Sequence, residues 1–323
     1  MISRRLFTAS VAAFAAAPLL SACGGDSDAA TGTSGTDKVG GINIGPDQNR
    51  IRGEKDDKAA ALVPAAVRER GTLRLGLSAD ASPPLGFFAT DDKTRIGSEL
   101  DLAVLVADTL GLKVRQEDVS WENLFVGLDS GKFDAVFSNV TVTEERKEKY
   151  DFATYRLDNI AFEAEKGTSW KVDEPADVAG KTIAVASGTN QEKILLDWSE
   201  RNREAGRKPV IVKYFQKDTD YYLALQSGRI DAYLGPSPSV SYHVASAGQS
   251  RVAGTLSGAG DGLQGLIAAT TKKDSGLVDA YAAAIDHVIA DGSYARVLKR
   301  WGLTGEAVEK SEINPPGLPR TKS

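Results

Sequence analysis

Short apolar segments alternate along the chain with segments in which apolar residues recur every three or four positions. Residues 72–77 have the length and composition of a strand, whereas residues 97–110 place apolar side chains on one helical face. Strands at 112–115 and 134–137 follow, with a helix at 121–128 between them. This β-α-β-α-β order predicts a mainly parallel sheet with helices on its faces.

The alternation then begins again, which predicts a second α/β half and a returning C-terminal segment. Its predicted strands are 159–163, 181–185, 209–213 and 231–234, and its predicted helices are 190–203, 219–226 and 240–247. The C-terminal segment contains a strand at 263–269 and helices at 277–290 and 294–301.

The N-terminus has the pattern of an export signal. Arg4 and Arg5 precede an apolar run over residues 6–20, which is too short for a membrane span and ends in small residues. Residues 20–23 resemble the bacterial lipobox, so we expect residues 1–22 to be a signal peptide and Cys23 to carry a lipid anchor. The paired arginines are also typical of twin-arginine export, and an accidental cysteine in a cleaved peptide is the alternative for Cys23.

Composition then limits the remaining possibilities. Residues 23–58 begin rich in Gly, Ser and Thr, which predicts a flexible tether. The chain has a formal net charge of -5 and no basic block, so nucleic acid is not an expected partner. Removing Arg4 and Arg5 leaves 37 of the 39 basic residues against 44 acidic ones, a net charge of -7. Cys23 is the only cysteine, which excludes a disulfide and any Cys/His zinc site.

The stretch 138–146 carries the chemistry that we consider most informative. It follows an apolar strand and leads into a charged, helix-like run, so that one turn presents the Thr141 hydroxyl and the Arg146 guanidinium. Arginine offers a planar fork of donors that fits a carboxylate in bidentate fashion. The alternative is a solvated helix start with an incidental arginine.

The order of motifs over residues 62–304 resembles the family 3 solute-binding proteins, which supply polar amino acids to bacterial ABC importers. The motifs lie at 71–76, 83–86, 97–102, 121, 128–134, 141–146, 152–155, 188–191, 227–232, 291–294 and 299–302. The resemblance implies the type II periplasmic-binding-protein fold, in which two α/β lobes joined by two hinge strands close on a ligand. Lobe 1 would comprise residues 60–162 and 263–323, and lobe 2 residues 163–262.

The resemblance also implies roles for single residues. Arg146 and Thr141 match the carboxylate clamp of lobe 1. Gly188, Thr189 and Asn190 match the loop before a lobe 2 helix, whose free N–H groups would meet the same carboxylate; an ordinary N-cap is the alternative.

Two further positions have equally plausible structural roles. Trp121 matches the aromatic side chain that covers the ligand, although it could simply pack in a core. Glu99 matches the position that faces the ligand's side chain, although an acid in the first turn of a helix also complements the helix dipole.

Departures from the family pattern put the substrate in doubt. Pro236 stands where the family usually has the aspartate that pairs with the ligand's α-ammonium, and Asn139 stands where a glycine is common. Either Asp80 or Asp158 takes the ammonium, or the ligand has no standard α-amino group. Both acids could instead be turn formers.

The sequence therefore predicts a substrate-binding lipoprotein, exported and anchored to the outer face of the cell membrane. It would capture a small carboxylate-bearing solute without a cofactor or metal and deliver it to ABC permease subunits. One alternative is an enzyme on the same fold, similar to cyclohexadienyl dehydratases, with Glu99 or Asp80 as the acid. The other is a tethered sensor that signals through a partner protein.

Overall fold

The structure is a computed structural model and describes residues 38–320, so the predicted export signal and Cys23 lie outside the described residues. The strands are β1 (Lys38–Val39), β2 (Ile42–Asn43), β3 (Thr72–Ser78), β4 (Phe87–Phe88), β5 (Arg95–Ile96), β6 (Lys113–Val119), β7 (Ala135–Val136), β8 (Tyr150–Glu165), β9 (Thr182–Val185), β10 (Ile211–Tyr214), β11 (Ala232–Pro236), β12 (Ser250–Ser257) and β13 (Gly265–Lys272).

Nine α-helices fall within residues 38–320. They are α1 (Asp57–Ala61), α2 (Ala65–Arg70), α3 (Ser98–Thr109), α4 (Trp121–Asp129), α5 (Asn190–Glu204), α6 (Asp218–Gln226), α7 (Ser237–Ala247), α8 (Val278–Ala290) and α9 (Ser293–Arg300). Three short 3-10 helices cover Arg146–Glu148, Pro175–Val178 and Thr304–Glu306. None of the described helices is both long and apolar enough to cross a membrane.

One sheet runs through both lobes because β8 belongs to both. Its order is β10-β9-β11-β8-β13-β7-β3-β6, and β12 also pairs with β8. The first half of β8 pairs with β13 up to Asp158, and the second half pairs with β12 and β11 from Asn159 onward. Strands far from this junction are parallel, whereas β8, β12 and β13 are antiparallel to their partners.

Each lobe has its own apolar core on its part of the sheet. In lobe 1, Leu73 and Leu75 of β3 pack with the apolar faces of α3, α8 and α9. In lobe 2, Phe162 of β8 and Ile183 of β9 pack with Trp198 of α5. The two predicted α/β halves are therefore present. Strand β12 and the first half of β8 were not predicted, and both are segments with many polar residues.

Residues 38–58 lie within the predicted tether, but the structure packs them against lobe 1. Ile42 and Ile51 contact its core. Arg50 forms an ion pair with Asp101 at 2.7 Å, and Arg52 forms another with Asp108 at 2.5 Å. The prediction of a tether is therefore wrong for these residues, because a few apolar side chains among polar ones are enough to hold the segment on α3.

The C-terminal tail connects the lobes a third time, in addition to the two predicted hinge segments. It forms isolated bridges with Ala153 in β8 and with Thr143. Leu318 in this tail is 8% exposed and lies in the lobe 2 core with Trp198. The tail was predicted to belong to lobe 1, and the structure shows that it spans both.

We expect Leu318→Ala to lower the free energy of unfolding by about 2 kcal/mol, because it removes a buried side chain and leaves a cavity. Ile313→Ala is the matched control, since Ile313 lies on the same tail but is 42% exposed. Urea denaturation of both variants measures the difference. Equal, small losses would show that the tail does not contribute to the lobe 2 core.

Candidate functional site

A cleft lies between the lobes and is lined by residues that follow the carboxyl ends of strands. From lobe 1 come Asp80 and Ser82 after β3, Ser138 and Asn139 after β7, and Trp121 at the start of α4. The crevice beyond the carboxyl ends of strands is where open α/β sheets usually bind ligands.

Lobe 2 contributes the starts of three helices. Thr189, Asn190 and Gln191 begin α5, Asp218 begins α6, and Pro236 and Ser239 lie at the start of α7. No Lys, Arg or His side chain lines this cleft. Its walls combine aromatic faces, hydroxyl and amide groups and two carboxylates, which suits a small polar molecule.

Arg146 lies beside the cleft, half-buried, and contacts both lobes. Its Nη1 donates to the Thr141 carbonyl at 2.9 Å, and its Nη2 donates to the Gly188 carbonyl at 3.1 Å. The guanidinium carbon is 5.4 Å from the ring centroid of Trp121 and 5.2 Å from that of Phe125. Burial lowers the pKa of Arg146 to about 10, so the group keeps its charge at neutral pH.

Trp121 connects the lobes from the lobe 1 side. Its indole Nε1 donates to the Gly188 carbonyl at 3.3 Å, and its backbone N–H donates to Asp80 at 3.1 Å. The ring lines the cleft. Trp121 therefore lies at the cleft surface rather than wholly inside a core, and its contact with a ligand stays a prediction.

The loop before α5 has a backbone that requires glycine at one position. Gly188 has φ +74°, in the left-handed region, and a Cβ there would lie 3.5 Å from the Trp121 indole nitrogen. The Thr189 hydroxyl accepts from the Glu192 N–H as an N-cap. The Gly188 N–H donates to Glu192 at 2.6 Å. This amide is therefore not free to bind a ligand, contrary to the prediction.

Asp158 is buried at the junction of the lobes rather than facing the cleft. Its Oδ2 accepts from the Thr141 hydroxyl at 2.7 Å and from the Asn190 amide at 3.0 Å. Asn190 also donates to the Gly258 carbonyl at 2.8 Å. Burial raises the pKa of Asp158, while the hydrogen bond from Thr141 acts in the opposite direction.

These contacts correct two predicted roles. The Thr141 hydroxyl is occupied by Asp158, and neither residue lines the cleft, so Asp158 is not available for a ligand's ammonium. The sequence could not reveal this pairing, because it depends on a contact between β8 and the chain after β7.

Glu99 is also occupied by the protein itself. It is 2% exposed and accepts from the Asn139 N–H at 2.7 Å, from the Tyr155 hydroxyl and from Arg156 Nη2 at 3.2 Å. Arg156 is fully buried and also forms an ion pair with Glu306. The predicted contact of Glu99 with a ligand side chain is therefore not supported, since Glu99 holds a buried arginine.

Asn139 has a structural reason for replacing glycine. Its φ is +54°, and asparagine adopts this left-handed region more readily than most residues. Its side-chain oxygen accepts from Arg156 while the residue lines the cleft. Asn139 thus connects the buried cluster to the site.

Asp80 lines the cleft as predicted, whereas Asp218 and Gln191 were missed. Asp218 Oδ2 accepts from the Ser82 hydroxyl of lobe 1 at 3.1 Å. Asp218 looks like an ordinary first-turn acid, and only its position opposite Ser82 shows that it faces the cleft. Within residues 38–320 no cluster of three or more His, Cys, Asp or Glu side chains could hold a metal ion.

The sequence is similar to those of bacterial solute-binding proteins. The profile of the bacterial extracellular solute-binding proteins, family 3, matches residues 73–304. The L-cystine-binding protein TcyJ of Escherichia coli is 36% identical over 169 residues, which cover 52% of this chain and 60% of that protein. The arginine-binding protein ArgT of Corynebacterium glutamicum is 28% identical over 260 residues, 80% of this chain and 83% of that protein.

Solved structures share the fold. An ancestral arginine-binding protein bound to arginine superimposes with a TM-score of 0.61 and 28% identity, covering 72% of this chain and 98% of the ancestral one. A mutant of ArgBP from T. maritima superimposes with a TM-score of 0.63 and 26% identity, and the match covers 76% of this chain and 99% of the mutant chain. These neighbours confirm the predicted type II periplasmic-binding-protein fold. The relatives named are binding proteins.

We expect Arg156→Met to lower the free energy of unfolding by about 3–5 kcal/mol, because it leaves the buried carboxylates of Glu99 and Glu306 without their cation. Arg203→Met is the control, since Arg203 pairs with Glu200 on the exposed surface of α5. Denaturation at neutral pH compares them. A loss for Arg156→Met no larger than that for the control would contradict the structural role of this cluster.

Proposed function

This chain belongs to family 3 of the bacterial extracellular solute-binding proteins, and we propose that it captures a small amino acid or amino-acid-like solute through its carboxylate. The solute would lie in the interlobe cleft and pass to the membrane permease of an ABC importer. The observation that carries this proposal is the state of Arg146, a half-buried cation beside the cleft that forms no direct ion pair within residues 38–320.

Arg146 is surrounded by groups that do not neutralise it. Its two hydrogen bonds go to the carbonyl oxygens of Thr141 and Gly188, and its faces lie near two aromatic rings. None of the ion pairs within residues 38–320 includes it. The carboxylate of Asp158 acts on Arg146 electrostatically without a direct hydrogen bond, and a guanidinium that has lost part of its hydration favours binding of a second carboxylate.

The start of α5 adds a second positively polarised group, which belongs to lobe 2. The N–H groups of Asn190 and Gln191 lie in the first turn, where a helix has no intrahelical acceptors for them. Helix α5 has 15 residues, so its dipole adds a partial positive charge at this end. A solute carboxylate at this position would be attracted by both lobes.

Contacts between the lobes fit a site that closes on its solute. Lys193 of α5 forms an ion pair with Glu145, and Gln216 donates to Glu122 at 2.8 Å. Such exposed polar contacts contribute little by themselves. A solute that binds both lobes would add to the preference for the closed form.

The relatives suggest the chemical class of the solute. The named ones bind L-cystine or arginine, both of which are amino acids with a carboxylate. We therefore propose an amino acid as the solute. Because the match spans only 60% of the cystine-binding relative, its ligand is not transferred to this chain as such.

We further propose that Cys23 is lipidated and holds the protein at the outer face of the membrane. The supporting pattern is Leu20, Ser21, Ala22 and Cys23 after a short apolar run. Residues 24–37 would then connect the anchor to the described part of the chain, which begins with β1.

A thermal-shift panel tests the solute class, because binding to the native state raises the melting temperature. The panel contains L-arginine, L-cystine and L-glutamine beside agmatine and cystamine, which lack the carboxylate. We expect stabilisation by at least one of the amino acids and none by the decarboxylated compounds. Equal stabilisation by agmatine and L-arginine would contradict binding through the carboxylate.

We expect Arg146→Ala to weaken binding of the stabilising amino acid by at least about 30-fold, the effect of removing one partner of a buried charge pair. Calorimetric titration measures the affinity. The variant should unfold within a few degrees of the unsubstituted protein, and Arg115→Ala on the exposed face of β6 should bind normally. A large loss of stability for Arg146→Ala in the absence of solute would instead show a structural role.

We expect Cys23→Ser to move the protein from the membrane fraction to the soluble fraction after export. Mass spectrometry of the unsubstituted N-terminus should find a diacylglycerol-modified cysteine. Unmodified Cys23, or membrane association that survives the substitution, would rule out this anchor.

A further inference from the structure

Two carboxylates line the cleft, and no cationic side chain is among the residues that line it with them. Asp80 comes from lobe 1 and Asp218 from lobe 2. Among residues 38–320, neither carboxylate takes part in an ion pair; Arg95, which is near Asp80, pairs with Asp118 at 3.0 Å. The site proposed above therefore has excess negative charge at its walls.

The donors that reach these carboxylates are all neutral. Asp218 accepts from the Ser82 hydroxyl at 3.1 Å and from the Thr219 N–H at 2.8 Å, while Asp80 accepts from the Trp121 N–H at 3.1 Å. A carboxylate has about four lone-pair positions, so each acid keeps the capacity for another donor. Its negative charge is left to be balanced by whatever enters the cleft.

Asp218 is positioned to act between the lobes. It begins α6 of lobe 2, and its hydrogen-bond partner Ser82 belongs to lobe 1. The Ser82 carbonyl also accepts from the Ser239 hydroxyl at 3.5 Å. Ser239 lies three residues after Pro236, so Asp218 occupies the same edge of the cleft as the uncharged Pro236.

Gln191 gives an independent indication that this wall contacts a polar ligand. The residue is 4% exposed and lines the cleft, yet its side-chain amide makes no hydrogen bond to any residue in the described part of the chain. Its amide atoms are not among the buried polar atoms that lack a partner in residues 38–320, so they are open to the cleft. A polar group of the solute can hydrogen-bond to them there.

We propose that Asp218 binds a protonated nitrogen of the solute, with the Gln191 amide as a neighbouring polar contact, and that Asp80 provides a second cation contact from lobe 1. This inference rests on the proposed function, because it concerns the same cleft. It names the preferred solute as an amino acid with two cationic nitrogens, one for each carboxylate.

Calorimetric titration of the mature protein with L-arginine tests the role of Asp218. We expect Asp218→Asn, which keeps the shape and removes the charge, to weaken binding about 10- to 100-fold, as for loss of a charge-assisted hydrogen bond. Asp80→Asn should weaken it as well. Asp220→Asn is the matched control, because Asp220 lies two residues further on α6 and is exposed; it should bind within about twofold of the unsubstituted protein.

Two analogues show which nitrogen Asp218 contacts. L-Citrulline lacks the cationic side chain, and Nα-acetyl-L-arginine lacks the α-ammonium. Asp218→Asn should not weaken binding of the analogue that lacks the nitrogen in contact with Asp218. It should still weaken binding of the other analogue. If the effect persists equally with both, Asp218 acts through the structure and the proposal is wrong.

The failure of this inference can be distinguished from the failure of the proposed function. Tight binding of L-arginine that Asp218→Asn leaves unchanged would overturn the cation contact while leaving solute capture intact. Tighter binding of L-glutamate than of L-arginine would do the same. If the unsubstituted protein binds no amino acid at all, both the proposed function and this inference fail.

Discussion

The relation between the two lobes depends on one buried carboxylate, that of Asp158. It stands where β8 stops pairing with β13, at Gly265, and starts pairing with β12, at Ser257. A buried carboxylate costs several kcal/mol unless donors satisfy it. Its donors come from opposite lobes, Thr141 from lobe 1 and Asn190 from lobe 2, so satisfying the charge also fixes the two lobes relative to each other. The position following Ser257 must be glycine, because a Cβ on Gly258 would lie 1.9 Å from Asp158 Oδ2.

The same contact orients the start of α5. Asn190 is the first residue of that helix, and its side chain donates both to Asp158 and to the Gly258 carbonyl. The free N–H groups of the first turn are therefore held in a fixed direction relative to the junction of the lobes. A residue that resembles a ligand contact in the sequence here acts as a positioning residue. Asn190 belongs both to the start of α5 and to the junction of the lobes, so a shift of the junction also moves the first turn of α5.

The fold was largely predictable, whereas the roles of the polar residues were not. Apolar periodicity identified most strands and helices because burial of one face is a local property of the sequence. It could not identify β12 or the first half of β8, whose polar side chains are satisfied by distant segments. Glu99, Thr141 and Asp158 were predicted to face the ligand, but long-range partners such as Arg156 occupy them. Asp218 was not predicted to line the cleft, because an acid in the first turn of a helix is common. Its partner Ser82 lies 136 positions away in the sequence.

If the solute binds as proposed, both signs of charge at the site come from both lobes, and this has a consequence for selectivity. Arg146 of lobe 1 and the start of α5 in lobe 2 provide the positive side, while Asp80 and Asp218 provide the negative side, again one from each lobe. A solute with only a carboxylate would leave two acids uncompensated as the cleft closes and loses water, which opposes closure. A solute with only a cationic group would likewise leave the charge of Arg146 uncompensated. On the proposed function and the inference above, a solute with a carboxylate and two cationic nitrogens would satisfy all of these groups, so closure itself would discriminate between solutes.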